Sequence, residues 1–224
     1  MPAMWVLFDR RAVAMLFFGF AAGLPILLIF SSLSLWLREA GVERSTVTFF
    51  SWAALGYSFK FVWSPLVDSV PLPWLTRRMG RRRAWLLCSQ VMVAIAILAM
   101  ALVDPAQGEI DLVYMAIAAV CLGFSSATQD IVLDAFRIES APAELQAALS
   151  ATYVAGYRVG MIAAGAGALF LAQWFGSTAA DYRYDAWCLT YVIMACGMCV
   201  GVVTTLLCPE PAEPISKVVS SGTW

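Results

Sequence analysis

Two aspartates, Asp130 and Asp134, lie one helical turn apart near the end of an apolar run that is long enough to cross a bilayer. A carboxylate in hydrocarbon is costly and is tolerated where it faces a bundle interior or a wet cavity, so acids at this depth are typical of ion and substrate pathways. At about 1.5 Å per residue, Asp130 lies roughly 27 Å from Leu112, just inside a core of approximately 30 Å, whereas Asp134 reaches the interface. We therefore expect Asp130 to bind a coupling proton and Asp134 to modulate it. The alternative for both acids is a structural ion pair with Arg137 or with the arginine loop Arg77–Arg83, which would hold a helix end in place.

Two cations lie inside other apolar runs. Lys60 is about 21 Å into the second run, and Arg158 is near the middle of the fifth. Neither side chain can snorkel to water easily, so each needs an anionic partner. That partner is either Asp130, in an internal ion pair, or an anionic group of a bound solute, and both hold if the solute breaks the pair. Three neighbouring polar residues complete the candidate solute ligands: Gln129, Tyr57 and Tyr157.

The composition excludes an ordinary soluble domain. Of 224 residues, 62% are hydrophobic and 13% are charged, with a mean hydropathy of +0.80, which leaves too few polar side chains to cover a water-facing surface. The net charge of -1 gives no basic face for nucleic acid. The chain has no histidine, and its six cysteines lie in or beside apolar runs, so we expect no disulfide framework, no metal and no cofactor.

The elements that must position these residues are spanning helices. A helix needs about 20 mostly apolar residues to cross a bilayer. Six runs meet that length: Ala12–Leu37, Thr46–Val67, Ala84–Val103, Leu112–Phe136, Ala147–Trp174 and Ala186–Cys208. The sequence therefore predicts an all-α, polytopic membrane protein with a six-helix transmembrane bundle over residues 1–208. Residues 209–224, a polar tail that contains prolines, then form the start of a central linker.

Lysine and arginine set the expected orientation. If the N-terminus is cytoplasmic, the inside segments carry the excess of positive charge: Arg10, Arg11, Arg77, Arg78, Arg81, Arg82, Arg83, Arg137 and Lys217. The outside segments then carry Arg38, Arg44 and Arg183. This asymmetry predicts that both termini are cytoplasmic.

Small residues recur at four-residue spacing in two of the runs. The two stripes are Gly156, Gly160 and Ala164 in the fifth run, and Gly19 and Gly23, before Pro25, in the first. Such stripes let helices approach closely, so we expect these residues to pack without touching a ligand. Arg158 lies about 200 degrees around the helix from Gly156 and should face away from that seam.

An acid that closes the second run, followed by an arginine cluster, resembles a known loop motif. Asp68 and Gly80-Arg-Arg-Arg83 are similar to Gly-x-x-x-Asp-Arg-x-Gly-Arg-Arg/Lys of the major facilitator superfamily, with Ser64 in place of a glycine and residues 69–79 lengthening the interval. In that superfamily the loop latches the cytoplasmic helix ends. The resemblance implies a gating role for this set: Asp68, Gly80, Arg81, Arg82, Arg83 and Arg137.

Four longer segments resemble the AmpG-type muropeptide permeases. They are Gly19-Phe-Ala-Ala-Gly-Leu-Pro25, Phe59-Lys-Phe-Val-Trp-Ser-Pro-Leu-Val-Asp68, Ser126-Ala-Thr-Gln-Asp-Ile-Val-Leu-Asp-Ala135 and Gly156-Tyr-Arg-Val-Gly-Met161. The resemblance implies proton-driven uptake of N-acetylglucosamine-anhydro-N-acetylmuramyl peptides across the bacterial inner (cytoplasmic) membrane, for cell-wall recycling. Peptide carboxylates of such solutes fit Lys60 and Arg158. The family's proteins continue through a second six-helix half, so the expected partners are the bilayer, a small anionic solute, the proton, and a second half or a homodimer copy.

Alternatives from other classes stay open at this point. Acetyl-coenzyme A transporters share a related Gln-Asp-Ile-x-x-Asp stretch, although the other segments favour the permeases. A truncated membrane interaction protein that does not transport is a further alternative. An intramembrane aspartyl protease needs two carboxylates that share a proton, most naturally from different helices. Here both acids lie on one helix, so we expect no enzyme.

Overall fold

The computed structural model describes residues 9–43, 47, 50 and 58–211. Over these residues the chain forms helices α1 (Arg10–Glu39), α2 (Lys60–Ser69), α3 (Leu75–Met79), α4 (Arg81–Ala101), α5 (Glu109–Ser140), α6 (Ala143–Trp174) and α7 (Tyr184–Leu207). Thr178 and Asp181 form an isolated antiparallel bridge in the turn between α6 and α7. The predicted all-helical class is confirmed.

Five of these helices are long and apolar enough to cross a membrane: α1, α4, α5, α6 and α7. Each overlaps one of the predicted runs and begins two to four residues before it, because polar residues also adopt helical geometry in the first turn. Two helices end before the predicted run does, α4 by two residues and α7 by one. Most of the first part of the predicted second span, Thr46–Val67, lies outside the described residues, as does the candidate ligand Tyr57. The last part of that span, from Lys60, lies in α2. Of the predicted tail, residues 209–224, the structure describes only the start, as far as Pro211.

Local sequence explains where these helices begin. Asp9 caps α1 by accepting a hydrogen bond from the Arg11 amide at 2.8 Å. Glu109 and Asp111 lie in the first turn of α5, where negative charge suits the helix dipole. Gly80, with φ of 88°, supplies the backbone conformation that ends α3 and begins α4.

The closest helix pair is α1 with α6. A Cβ at Gly19 would overlap the carbonyl oxygen of Tyr153, and a Cβ at Gly156 would overlap that of Leu16. Gly23 and Gly160 meet the opposite backbone in the same way. We call this contact the glycine seam. The backbones touch because no side chain separates them, which is the packing that small residues allow between membrane helices.

Each helix of that pair contains one π-helical stretch. The stretches are Leu28–Ser32 in α1 and Ala163–Gly167 in α6. They meet where the Ser32 hydroxyl donates a 2.6 Å hydrogen bond to the carbonyl of Ala164. Such stretches widen a helix locally and change the direction of the side chains that follow.

The end of the bundle opposite most of the arginines is held by buried aromatic rings, and we call it the aromatic end. Trp36 and Trp187 stack with centroids 5.6 Å apart, and both indoles are fully buried. Glu39 accepts hydrogen bonds from Trp187 Nε1 and Ser177 Oγ, each at 2.7 Å. Tyr182 accepts from Trp36 Nε1 and donates to Asp104 at 2.7 Å. Burial, with the bond to Asp104, raises the pKa of the Tyr182 hydroxyl, which therefore stays a donor at neutral pH.

Candidate functional site

Asp130 lies on α5 where that helix meets α2 and α6. The residue is partly buried, and its Oδ1 atom is screened from solvent with no hydrogen-bond partner among the described residues. The charge of Lys60 attracts the Asp130 carboxylate, whereas the charge of Asp134 repels it. Lys60 and Asp130 form no direct ion pair in this structure. The Asp130 carboxylate is therefore attracted by the charge of Lys60 but forms no ion pair with it.

Lys60 is positioned by the contact between α2 and α5. Three residues beyond it, the Trp63 ring packs on Phe124 with centroids 4.5 Å apart. Trp63 Nε1 also donates a 3.3 Å hydrogen bond to Thr128, one turn further along α5. Because these contacts fix the start of α2 against the middle of α5, they set the approach of Lys60 to Asp130.

Two tyrosines of α6 face the same acid. The Asp130 charge acts on the phenol groups of both Tyr153 and Tyr157, whose ring centroids are 6.1 Å apart. Arg158 is the residue after Tyr157, and its positive charge also acts on the Tyr157 phenol group. We call Lys60, Asp130, Tyr153, Tyr157 and Arg158 the charged cluster. Sequence reasoning missed Tyr153, although its spacing of four residues from Tyr157 places both on one helix face.

Arg158 is the exposed member of the charged cluster. It lies near the middle of α6, on the side away from the buried Gly156, and it has no hydrogen bond or ion pair within the described part of the chain. Only 28% of the most apolar 18-residue window of α6 is buried, against 61% for α1. An arginine at this depth is unfavourable against lipid. The surroundings of Arg158 must therefore supply water, an anion or another protein wall.

Asp134 has a different environment from Asp130. Its carboxylate is 56% exposed and forms an ion pair with Arg137 at 3.3 Å. Arg137 also donates a 2.6 Å hydrogen bond to Ser150 of α6. The pair thus joins the end of α5 to the start of α6, and Asp134 takes part in a contact within the bundle.

Gln129 points to the interior and does not reach the charged cluster. The residue is 0% exposed, and neither its Oε1 nor its Nε2 has a hydrogen-bond partner among the residues the structure describes. Asp130 is the next residue, so the two side chains project about 100 degrees apart around α5. A role for Gln129 in binding solute stays a prediction.

Arg82 is the centre of an ion-pair network that joins three helices. Its guanidinium binds Glu139 of α5 through two hydrogen bonds of 2.9 and 2.7 Å, and it binds Asp68 of α2 at 2.6 Å. Arg81 adds a 2.6 Å hydrogen bond to the Asp68 carbonyl. The side chain of Arg82 is 10% exposed and that of Glu139 is 16% exposed, so this pair is largely shielded from water, whereas Asp68 is 45% exposed. We call this side of the bundle the arginine-rich end.

The chain that follows α7 returns to the same network. Glu210 accepts hydrogen bonds from the backbone amides of Arg82 and Arg83 at 2.8 and 3.0 Å, which are free donors in the first turn of α4. Arg83 in turn donates to the carbonyls of Thr205 and Leu206 at the end of α7. A Cβ at Gly80 would overlap the Glu210 side chain, so the contact requires glycine there. The sequence analysis identified neither Glu139 nor Glu210.

The comparisons with known proteins agree on transport. Residues 12–184 match the family model described as acetyl-coenzyme A transporter 1. The chain is 41% identical to the transporter designated AmpG 4 of Rickettsia felis, over 94% of this chain and 48% of that protein. It is 39% identical to the anhydromuropeptide permease of Escherichia coli (strain K12), over 95% of this chain and 40% of the permease. The chain thus spans about half, or less, of the length of these curated relatives, which are named as transporters and not as enzymes.

Proposed function

This chain belongs to the transporter family described as acetyl-coenzyme A transporter 1 and is AmpG-like over nearly all of its length, and on that premise we propose that it contributes to proton-coupled import of anhydro-muropeptides. It is a multi-pass membrane protein. In this proposal its helices form one wall of an alternating-access cavity, as one repeat does in secondary transporters. The solute class follows the permease of Escherichia coli, whose name states that activity.

The single observation that carries the proposal is the exposed charge on α6. Arg158 lies near the middle of α6 without a partner in the described residues. It is next to Tyr157, whose phenol group is also within the influence of the Asp130 charge. A cation in this position is stable where it faces a wet cavity and binds anions that pass through it. Peptide carboxylates supply such anions.

Coupling follows from the relation between Asp130 and Lys60. While Asp130 is ionised, its carboxylate attracts Lys60 and competes with a solute carboxylate for that cation. When Asp130 takes up a proton, the attraction ends and Lys60 can bind the solute. The proton and the anionic solute are then imported together, because binding of the proton to Asp130 frees Lys60 to bind the solute, and binding of the solute to Lys60 favours protonation of Asp130.

The other wall is proposed to be a second six-helix half or a second copy of this chain. The exposed Arg158 near the middle of α6 supports a covering protein surface, because a cation at this depth is unfavourable against lipid. The arginine-rich end brings together the start of α4, the end of α5 and the end of α7. By the positive-inside rule that end faces the cytoplasm of a bacterial inner membrane, which places both termini inside.

Uptake into proteoliposomes tests the proposal. The chain, alone and fused to the C-terminal half of the Escherichia coli permease, is reconstituted with an imposed pH gradient and labelled anhydro-muropeptide. We expect Asp130→Asn to abolish accumulation against a concentration gradient while solute exchange continues, because a neutral amide takes up no proton. Asp134→Asn, matched in chemistry, should keep most of the accumulation. Gradient-driven accumulation by Asp130→Asn at a normal protein level would show that Asp130 is not the coupling group.

Acetyl-coenzyme A is the second candidate solute, and the description of the matching family favours it. Its phosphate groups are anions that Lys60 and Arg158 could bind equally well. Labelled acetyl-coenzyme A in the same proteoliposomes separates the two candidates. Uptake of this solute alone would replace the muropeptide in the proposal, whereas uptake of neither by the fused protein would contradict both.

A further inference from the structure

A groove runs along the outside of the bundle between the start of α1 and the end of α7, with the end of α5 as its floor. It encloses about 1460 Å³. Its sides are apolar, with Val13 and Phe17 on α1 facing Val203 and Leu207 on α7. These four side chains are 40 to 80% exposed. At about 1.5 Å per residue, the groove runs roughly 10 Å along α1 from Arg10 to Phe17.

The mouth of the groove is cationic. Arg10 and Arg11 lie there, both exposed, and within the described part of the chain neither guanidinium has a hydrogen bond or ion pair. Arg10 shares one helix face with Val13 and Phe17, because these residues are three and seven positions apart. The cation and the apolar strip therefore belong to one continuous surface.

Carboxylates also line the mouth, but each is already bound. Asp9 accepts from the Arg11 amide, Glu139 pairs with Arg82, and Glu210 accepts from the amides of Arg82 and Arg83. The two arginines of α1 therefore remain available to an external anion.

We propose that this groove binds one anionic phospholipid, with its phosphate on Arg10 and Arg11 and an acyl chain between α1 and α7. The order of chemistry along the groove, two cations at the end of the bundle and then an apolar strip that leads toward the bilayer centre, matches the order of groups in such a lipid. Basic pockets between membrane helices are typical sites for anionic headgroups. The site is separate from the charged cluster and does not depend on which solute the protein carries.

Binding at this position would add a charged contact between α1 and α7, which no ion pair joins among the residues that the structure describes. The lipid would hold the first turn of α1 beside the last turns of α7, next to the Glu210 contact with α4. It would therefore stabilise the arginine-rich end from the lipid side.

Native mass spectrometry of the full chain tests the site. The protein, purified in detergent, is titrated with phosphatidylglycerol and with phosphatidylcholine of the same acyl chains. We expect one molecule of phosphatidylglycerol to stay bound in preference to phosphatidylcholine. Arg10→Gln combined with Arg11→Gln should weaken phosphatidylglycerol binding roughly thirtyfold, since each basic residue near the surface contributes about a factor of five. Arg77→Gln combined with Arg78→Gln removes the same charge from exposed residues outside the groove and should change nothing.

A second pair of variants tests the acyl chain position. Val203→Trp fills the groove and should lower retention of both lipids, whereas Leu206→Trp, on the same helix and equally exposed at 51% but outside the groove, should not. Equal retention of the two lipids, or equal effects of the two variants in either pair, would refute the site. The same holds if phosphatidylglycerol binds only after residues 212–224 are removed, because the tail of the chain would then be the occupant.

Discussion

The two sides of α6 have opposite environments. On one side, Gly156 and Gly160 place the backbone directly against α1, where even a Cβ would overlap a carbonyl oxygen. On the other side, Arg158, Val159 and Ile162 are exposed, and the charge has no partner in the described residues. One side of α6 is covered by α1, whereas the other side is exposed among the described residues.

This difference separates what the helix needs for folding from what it offers to other molecules. Close backbone contact fixes the position of α6 relative to α1, which leaves the opposite side with little freedom to collapse onto its own bundle. A residue held in this way can keep a charge exposed at membrane depth. Substitutions on the closed side, at a charge with partners and on the open side should therefore have different effects on stability.

The largest effect is expected at the closed side. Gly156→Val adds a Cβ and two methyl groups against the Leu16 carbonyl. A backbone carbonyl cannot move aside as the end of a flexible side chain can. We expect a loss of more than about 3 kcal/mol, seen as little folded protein in size-exclusion chromatography and a lower thermal midpoint. Ala155→Val makes a related change one residue earlier, on an exposed position, and should be near neutral. Similar yields for the two variants would mean that the seam opens readily.

An intermediate effect is expected where an arginine has all its partners. Arg82→Gln leaves Glu139 and Asp68 without a counter-charge, and breaking a buried pair costs about 3–5 kcal/mol. Because the Asp68 side chain is 45% exposed, water solvates part of its charge in the variant. We therefore expect the free energy of unfolding to fall by about 2–3 kcal/mol. Thermal unfolding in detergent measures the change, with Arg77→Gln as the exposed control. Unchanged stability of Arg82→Gln would show that the network is not holding this end.

Apolar run length was sufficient to predict five of the helices, because the hydrocarbon core imposes that length on any span. The end residues were not predicted, since caps and the first turns of polar residues extend each helix beyond its apolar run. The π-helical stretches at Leu28–Ser32 and Ala163–Gly167 were also missed. They depend on how α1 and α6 pack, and no local sequence pattern reports that packing.

The candidate site divides in the same way. Asp130, Lys60 and Arg158 stand out in a sequence because charge in an apolar run is rare. Tyr153, Glu139 and Glu210 do not, because their importance arises from residues that are distant in the sequence. Glu139 binds Arg82, 57 positions away, Glu210 binds the amide of Arg82, 128 positions away, and Tyr153 is within the influence of the Asp130 charge. Gln129 was chosen for its place in a family-like motif; it is buried inside the bundle, and its role in binding solute stays a prediction.

The smallest effect on stability is expected at the open side of α6. A substitution there tests most directly whether the two sides of α6 differ. Arg158→Gln removes a charge that has no internal partner, so unfolding should shift by less than about 0.5 kcal/mol. Binding of the labelled anionic solute should weaken roughly tenfold or more, since a hydrogen bond to a charged group contributes about 1.5–3 kcal/mol. Arg158→Lys should recover part of that affinity, because it restores the charge without the planar fork. Arg183→Gln, an exposed arginine outside the cluster, is the control for total charge. If Arg158→Gln instead lowers the free energy of unfolding as much as Arg82→Gln, Arg158 stabilises the fold and the open side of α6 makes contacts of its own.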